Sequence, residues 1–371
     1  MMTDDITKAG ILLNAVNASN KIFSKLCDNY GPDGLWHSEL LWQELGLTER
    51  MKERLSRFLC DEWAEKEIER TENFDARFIT SKSNDYPSKL FDLAKPPIGL
   101  YVKGSVNISL PSIAIVGTRK CSNYARNVAS NLGKALARKG KMTISGGAKG
   151  IDTAGHQGSL SENGITIVVF GTGIDEVYPA ENKDLFMRIL ERGAWVSEYP
   201  FGTRGNNWHF PELDRIIAAM SSCIVVAESP EDGGAMHTAR GGLEIKRDVW
   251  SIPGRITDEA SRGTNLLIRE GTNIFVSIDD FLNTIIPEHE QICLNFNDND
   301  DHNSVNDRQV HELSDDEKVI YSLIQRNGGI TADDLLIESS LDFVTVQTAL
   351  INLESEGLIA GSSGRYSALL C

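Results

Sequence analysis

The sequence predicts an α/β protein built around a Rossmann-like, doubly wound and mostly parallel sheet. Three apolar runs rich in β-branched residues each stop at glycine, as interior strands of a parallel sheet do. Strand-like and helix-like segments also alternate from Ile113 to about Ile285, which is typical of stacked βαβ units. The three runs with their turns are Ile113–Arg119, Thr143–Asp152 and Ile165–Gly173.

Bulk composition is that of a globular protein with two or three domains. The 371 residues are 41% hydrophobic and 24% charged. The start resembles no signal peptide and no apolar run approaches the roughly 20 residues of a membrane span, so we expect a cytoplasmic protein without membrane association. The six cysteines form no CxxC pair, which favours free thiols over a metal site.

The N-terminal residues 1–74 predict a small helical domain of the SAM or helix-hairpin-helix type. Apolar and polar groups alternate there at helical spacing, as in Leu40–Glu49, and a highly charged helix is expected over Asp61–Arg70. The glycine hairpin of a DNA-binding helix-hairpin-helix is missing, because Val16–Ser19 occupies its place.

The central domain is expected over residues 75–286. Its first part, with paired prolines and a strand-like tail over Pro96–Gly104, is interpreted as an irregular connector that docks onto the sheet. A helix is predicted from Asp152 to Leu160, with Asp152 as its N-cap. Further strands are predicted at Ala194–Glu198, Cys223–Glu228, Asp248–Ile252 and Asn273–Val276.

The C-terminal part predicts a flexible linker over residues 287–311 and a winged-helix-like domain over 312–371. The linker is rich in Asn, Asp and His, and the domain has the pattern of three helices followed by a short hairpin. Residues 286–371 hold 4 basic and 16 acidic side chains, whereas residues 112–285 hold 19 and 20. A basic patch for nucleic acid is therefore expected only in the central domain.

The glycine turns indicate a phosphate site at one edge of the sheet. Glycine lets backbone N–H groups approach an anion, and the helix that follows adds the positive end of its dipole. Arg119 and Lys149 stand in two of these turns and would neutralise phosphate. The need for a tight βα turn would by itself explain the glycines of any single loop. The chain has no G-x-x-x-x-G-K-[ST] and no G-x-G-x-x-G in its first βα unit, which argues against a P-loop ATPase and a nicotinamide enzyme.

Catalytic patterns are scarce. No G-x-S-x-G elbow is present, and His156 beside the second glycine turn is expected to have a packing or solvent role rather than to act as a base. The acidic run at Glu228, Glu231 and Asp232 is interpreted as a solvated loop. The residues therefore contain no catalytic signature, and we expect no cofactor or metal.

The ordered motifs resemble the DNA-processing protein A (DprA/Smf) family. The resemblance covers roughly residues 75–285 and has the same order and spacing. The segments that carry it are Thr118-Arg119, Ser145–Asp152, Gly171-Thr172-Gly173 with Tyr178-Pro179, Arg215–Ala218, Thr238-Ala239 and Ile252-Pro253-Gly254.

The resemblance implies a recombination mediator, active in natural transformation and competence, that binds single-stranded DNA non-specifically and hands it to the RecA recombinase. It also implies a homodimer without established enzymatic activity. Arg119 and Lys149 would contact phosphates, supported by Ser122 and nearby amides. The full set expected at the DNA is Gly117, Thr118, Arg119, Ser122, Ser145, Gly146, Gly147, Lys149, Gly150, Gly171, Gly173, Asn182, Lys183, Arg215 and Gly234.

Two departures from the family pattern concern the ligand. Where the family usually reads Pro-Arg-Arg/Ala-Asn-Arg, this chain has Pro211–Arg215, which brings Glu212 and Asp214 to the anion site. The usual Ser-Gly-Ser turn is altered to Gly233–Ala235. We expect DNA affinity below that typical of the family. Two alternatives stay open: an enzyme acting on nucleotides or nucleoside phosphates, and an adaptor acting through the acidic winged helix.

Overall fold

The computed structural model describes residues 2–36, 39–206, 208–286, 314–327, 330–339, 341–355, 358–362 and 365–368. The chain forms two compact units, Met1–Leu282 and Asn283–Cys371. The linker expected over 287–311 lies outside the described residues.

The first unit opens with helices that begin at side-chain caps. Ser19 accepts from the N–H of Ile22, and Thr48 accepts from the N–H of Met51, so each satisfies a donor at a helix start. The predicted charged helix is present two residues later than expected. These helices are α1 (Met2–Ala15), α2 (Asn20–Asn29), α3 (Glu39–Glu44), α4 (Glu49–Cys60) and α5 (Trp63–Asn73).

A nine-stranded sheet forms the centre of the described part of this unit. Its strands are β1 (Ala76–Thr80), β2 (Gly99–Lys103), β3 (Ser112–Val116), β4 (Met142–Ser145), β5 (Thr166–Gly173), β6 (Ala194–Tyr199), β7 (Ser221–Val226), β8 (Asp248–Ser251) and β9 (Asn273–Ile274). The helices between and after them are α6 (Asn123–Arg138), α7 (Ile151–Ser161), α8 (Lys183–Leu190), α9 (His209–Met220), α10 (Gly234–Glu244), α11 (Arg262–Arg269) and α12 (Ile278–Ile285).

The strand order is β1-β2-β6-β5-β4-β3-β7-β8-β9, and neighbouring strands from β6 through β9 pair in parallel. The chain runs outward from β3 to β6 and then returns to place β7 on the other side of β3. This reversal is the switch point at which doubly wound sheets leave a crevice beyond the carboxyl ends of their strands. The predicted Rossmann-like fold is therefore confirmed.

Both faces of the sheet are covered, which is why the parallel strands are continuously apolar. All five residues of β3 are buried, as are all eight of β5. On one face Val116 and Ile144 pack with Ile217 of α9. On the other face Trp195 belongs to the same apolar cluster as Phe23 of α2, so the N-terminal helices share a core with the sheet.

Two local expectations were wrong. The connector that precedes the sheet contributes β1 and β2, which pair with each other and with β6 in antiparallel fashion. The strand-like tail of the connector is β2, whereas β1 was not expected; the prolines lie between the two strands. Asp152 is not the N-cap of α7, since the helix begins at Ile151 with Gly150 as its cap residue, and the Asp152 side chain is buried.

The second unit contains the three helices and the hairpin that its pattern predicts. The elements are α13 (Asp315–Asn327), β10 (Ile330–Thr331), α14 (Ala332–Ser339), α15 (Phe343–Ser355), β11 (Ile359–Ser362) and β12 (Arg365–Ala368). The short strand β10 is additional to the expected pattern, and the described strands pair in the order β10-β12-β11. The winged-helix assignment stays a prediction.

Within the described ranges, no helix has the length and apolar character needed to cross a bilayer. Four cysteines in those ranges are free thiols: Cys27, Cys60, Cys121 and Cys223. Cys293 and Cys371 lie outside the described residues.

Candidate functional site

A pocket of about 840 Å³ lies at the switch point, beyond the carboxyl ends of β3, β4 and β5. The turns that follow these three strands supply its walls, together with α9 and the start of α10. Its position is the one at which open α/β sheets bind ligands.

The first wall is the loop after β3, which carries Arg119 and Lys120. Both side chains are exposed, and the Arg119 guanidinium lies 4.9 Å from the ring centroid of Phe210. A cation over an aromatic face is attracted by the ring quadrupole, so Phe210 helps to hold the guanidinium at the pocket. The Thr118 N–H donates to the Glu228 carbonyl at 2.7 Å, which ties the start of the loop to the end of β7.

The second wall is the glycine turn after β4. Gly150 has φ +89°, and a Cβ there would lie 2.4 Å from the Thr118 carbonyl oxygen, so only glycine fits this close approach between the two loops. Asn182 Nδ2 donates to the Gly147 carbonyl at 2.9 Å. Ser145 Oγ donates to the Ile115 carbonyl at 2.6 Å. These hydrogen bonds hold the glycine turn in place.

His156 braces the same turn from the core. Its Nε2 lies 2.9 Å from the Gly146 carbonyl oxygen, to which it must donate, and its Nδ1 lies 2.7 Å from Thr166 Oγ1. Burial lowers the pKa of His156 to about 4, so the ring is neutral at pH 7. Its expected packing role is confirmed by these contacts.

Lys149 stands at the rim of the pocket and is paired there. Its Nζ lies 2.6 Å from Glu181 Oε1, and both side chains are more than half exposed. This ammonium group lowers the pKa of Glu181, which is thus ionised around neutral pH. An exposed pair of this kind contributes little to stability, so Lys149 can exchange Glu181 for another anionic partner.

Two carboxyl groups lie deeper in the pocket. Burial raises the pKa of Asp152 to about 7 against the opposing N–H of Ala148, and Asp214 raises it further. Burial likewise raises the pKa of Asp214 to about 7, opposed by the neighbouring Thr238 hydroxyl and by the charge of Arg119. The charge of the pocket floor therefore changes near neutral pH.

The structure brings eight of the predicted site residues together in the pocket lining: Gly117, Thr118, Arg119, Gly146, Gly147, Lys149, Gly171 and Gly234. Ser145, Gly150 and Asn182 lie behind them and hold the loops as described above. Ser122 caps α6 by accepting from the Ala125 N–H at 3.1 Å. Gly173 packs against the Pro200 carbonyl, and Lys183 is exposed at the start of α8.

Arg215 lies outside the pocket lining. Its Nη2 bonds both carboxylate oxygens of Glu198 at 2.8 and 2.6 Å, and its Nε bonds Glu212 at 2.6 Å. Glu212 is thus directed at Arg215, and of the two carboxylates expected at the anion site only Asp214 lines the pocket. The guanidinium is held by two carboxylates within the fold.

Residue patterns did not single out Lys120, Phe210 or the buried acid Asp152 as parts of the site. Lys120 could have been found because it directly follows Arg119. The expected solvated loop is wrong for Glu228, which is 4% exposed. Among the described residues, no cluster of three or more His, Cys, Asp or Glu side chains could hold a metal ion.

Fold and site define the class of the protein: a Rossmann-like α/β protein with a pocket, formed by glycine loops, at its switch point. The chain belongs to the DNA recombination-mediator protein A family, whose model matches residues 77–286.

Named relatives agree with this assignment. Protein Smf of Synechocystis sp. is 34% identical over 220 residues, a match that covers 58% of this chain and 55% of the relative, so the shared part spans about half of that protein. The crystal structure of DNA processing protein A from Streptococcus pneumoniae is similar with a TM-score of 0.64 at 30% identity, covering 73% of this chain and 95% of the other.

A second solved relative is DNA processing protein A from Helicobacter pylori, described for its single-stranded DNA binding mode. It is similar with a TM-score of 0.52 at 27% identity, covering 56% of this chain and 95% of the other.

Proposed function

We propose that this protein is a recombination mediator that binds single-stranded DNA through the pocket at the switch point. One observation carries the proposal: Arg119, Lys120 and Lys149 stand together where three glycine turns end. Family membership supports it, as does the similarity to the Helicobacter pylori protein.

The geometry suits binding to the phosphate backbone of DNA without recognition of the base sequence. Backbone amides of Gly146 and Gly147 border the pocket, and α7 starts at Ile151 with its positive dipole end toward the same turn. Arg119 offers a bidentate fork, and Lys120 and Lys149 act as point charges. Charges and amides of this kind fix a strand by its phosphates and discriminate little between bases.

The proposal includes RecA as the recipient of the DNA, a homodimer, a cytoplasmic location and no enzymatic activity. These four points rest on the resemblance of the motifs and on the family. In this view Asp152 and Asp214 tune the charge of the pocket and take no part in a reaction.

The enzyme alternative is favoured by one observation, the two carboxyl groups with raised pKa in a pocket of suitable size. Glu244, which follows the Gly233-Gly234 turn in the sequence, is unsuitable as its catalytic acid, because it ends the 11-residue helix that starts at Gly234 and so stands about 15 Å away along the axis. Incubation with nucleoside monophosphates separates the readings: we expect no base release, and release that depends on Asp152 would favour the enzyme.

The adaptor alternative is compatible with the main proposal. Residues 286–371 hold 4 basic and 16 acidic side chains, and α15 exposes Phe343, Val344 and Ile351 on its outer face. A surface of this charge repels phosphate, so removal of residues 287–371 is expected to leave DNA binding unchanged or stronger.

The direct test is a titration of labelled oligo(dT) with the full-length protein over a salt series. We expect binding at low salt, and a plot of log K against log salt concentration with a slope of about −2 for three phosphate contacts on a single strand. Double-stranded DNA of equal length serves as the control ligand. Absence of oligo(dT) binding at low salt would refute the proposed function.

A further inference from the structure

Glu228 holds both ends of the loop that carries Arg119 and Lys120. At the start of this loop the Thr118 N–H donates to the Glu228 main-chain carbonyl at 2.7 Å. At its end the Ser122 N–H donates to the Glu228 carboxylate, to Oε2, at 2.6 Å. One buried residue at the end of β7 thus spans the whole basic loop.

The anchor is buried and strong. Glu228 is 4% exposed, and a charge-assisted hydrogen bond to a backbone N–H is roughly twice as strong as a neutral one. The carboxylate also lies beside the start of α6, where a negative charge is stabilised by the helix dipole. The start of the loop also packs closely against the main chain of Glu228, because a Cβ at Gly117 would lie 2.8 Å from the Glu228 carbonyl oxygen.

We infer that Glu228 is a positioning residue for DNA binding: it fixes the loop so that Arg119 and Lys120 face the pocket. The inference rests on the proposed function, since it assigns a role within that site. Glu228 does not line the pocket, so it acts through the loop and not by touching the ligand.

In the alternative, the Glu228 carboxylate only repels phosphate, and this predicts a change in DNA affinity of the opposite sign when Glu228 is replaced. If Glu228 acted only by its charge, its removal would strengthen DNA binding. If it positions the loop, shortening the side chain weakens binding even when the charge is kept. Glu228→Asp keeps the charge and withdraws the carboxylate by one methylene, whereas Glu228→Gln keeps the length and an acceptor oxygen without the charge.

We expect Glu228→Asp and Glu228→Ala to bind oligo(dT) about tenfold more weakly than the wild type, as loss of one charge-assisted anchor implies. Glu228→Gln should bind only about threefold more weakly, because it keeps the hydrogen bond and loses the charge assistance. In an Arg119→Ala, Lys120→Ala background, Glu228→Asp should cause no further loss, because residues that act through one another are not additive. An equal tenfold loss in that background would overturn the inference, as would tighter binding by Glu228→Asp.

Hydrogen–deuterium exchange of the free proteins tests the anchor without DNA. Glu228→Asp should speed exchange at residues 118–122 and leave residues 146–150 unchanged; unchanged exchange at 118–122 overturns the inference whatever the DNA result. If wild type fails to bind oligo(dT), the proposed function fails. If Arg119→Ala weakens binding and Glu228→Asp does not, only the positioning role fails.

Discussion

Replacing Arg119 and Lys149 with alanine should weaken oligo(dT) binding about 100-fold at low salt. Each cation can make a charge-assisted hydrogen bond to phosphate worth about 1.5 kcal/mol or more, and the two stand on separate turns of the same pocket. The slope of log K against log salt should also fall in magnitude by about 1.4, because two phosphate contacts are lost. Fluorescence anisotropy of a labelled oligo(dT) over a salt series measures both quantities.

The matched control removes one arginine and one lysine at the opposite edge of the sheet. Lys139 directly follows α6 and precedes β4, and Arg269 ends α11 just before β9, so both lie near the amino ends of strands. Alanine at both positions changes the net charge by the same amount and should change affinity by less than about threefold at low salt. Equal losses in the two double variants would mean that net charge, and not the pocket, governs binding.

Asp214→Asn should bind oligo(dT) about fivefold more tightly than the wild type at pH 8 and about equally well at pH 6, if bound phosphate raises the pKa of Asp214 by about one unit. Burial raises the pKa of Asp214 to about 7, so the carboxyl is mostly neutral at pH 6 and mostly ionised at pH 8. A phosphate nearby favours the neutral form and raises this pKa further. The affinity of the wild type for DNA therefore falls as pH rises through 7. Asparagine is neutral at every pH, so Asp214→Asn removes the share of this pH dependence that comes from Asp214.

Glu181→Gln is the matched control for this pH effect. Glu181 has a lowered pKa because it pairs with Lys149, so it is ionised at both pH values. Its removal should change affinity by the same factor at pH 6 and pH 8. Binding by Asp214→Asn that follows the wild-type pH profile would contradict the assignment of Asp214 as the titrating group, whereas Asp152 accounts for any slope that remains.

The sequence was informative wherever a local pattern determines position. Apolar runs that stop at glycine located β3, β4 and β5, because the carboxyl ends of parallel strands meet at one edge of the sheet. Arg119 and Lys149, on different turns, could therefore be placed in one pocket before any contact was known. Two backbones approach closely at these turns, as at Gly150, and only glycine fits there. A glycine in the sequence therefore marks such a position directly.

Long-range pairing was not accessible in the same way. The sequence shows Arg215 as a basic residue of a family segment, but its partner Glu198 lies on β6 and meets it only through the fold. Glu228 belongs to an acidic run that looks solvated, and it is buried because β7 returns to lie beside β3. Asp152 has the residue type of a helix cap, and only packing against the pocket floor gives it a raised pKa.

The central claim is that DNA binds to the backbone amides of the glycine turns and to the basic residues of the same loops. Hydrogen–deuterium exchange of the full-length protein with and without oligo(dT) tests this claim most directly. The account predicts slower exchange on binding in peptides that cover residues 117–122 and 146–150, the two turns that line the pocket. Protection confined to other parts of the chain, with these two segments unchanged at saturating oligo(dT), would contradict it.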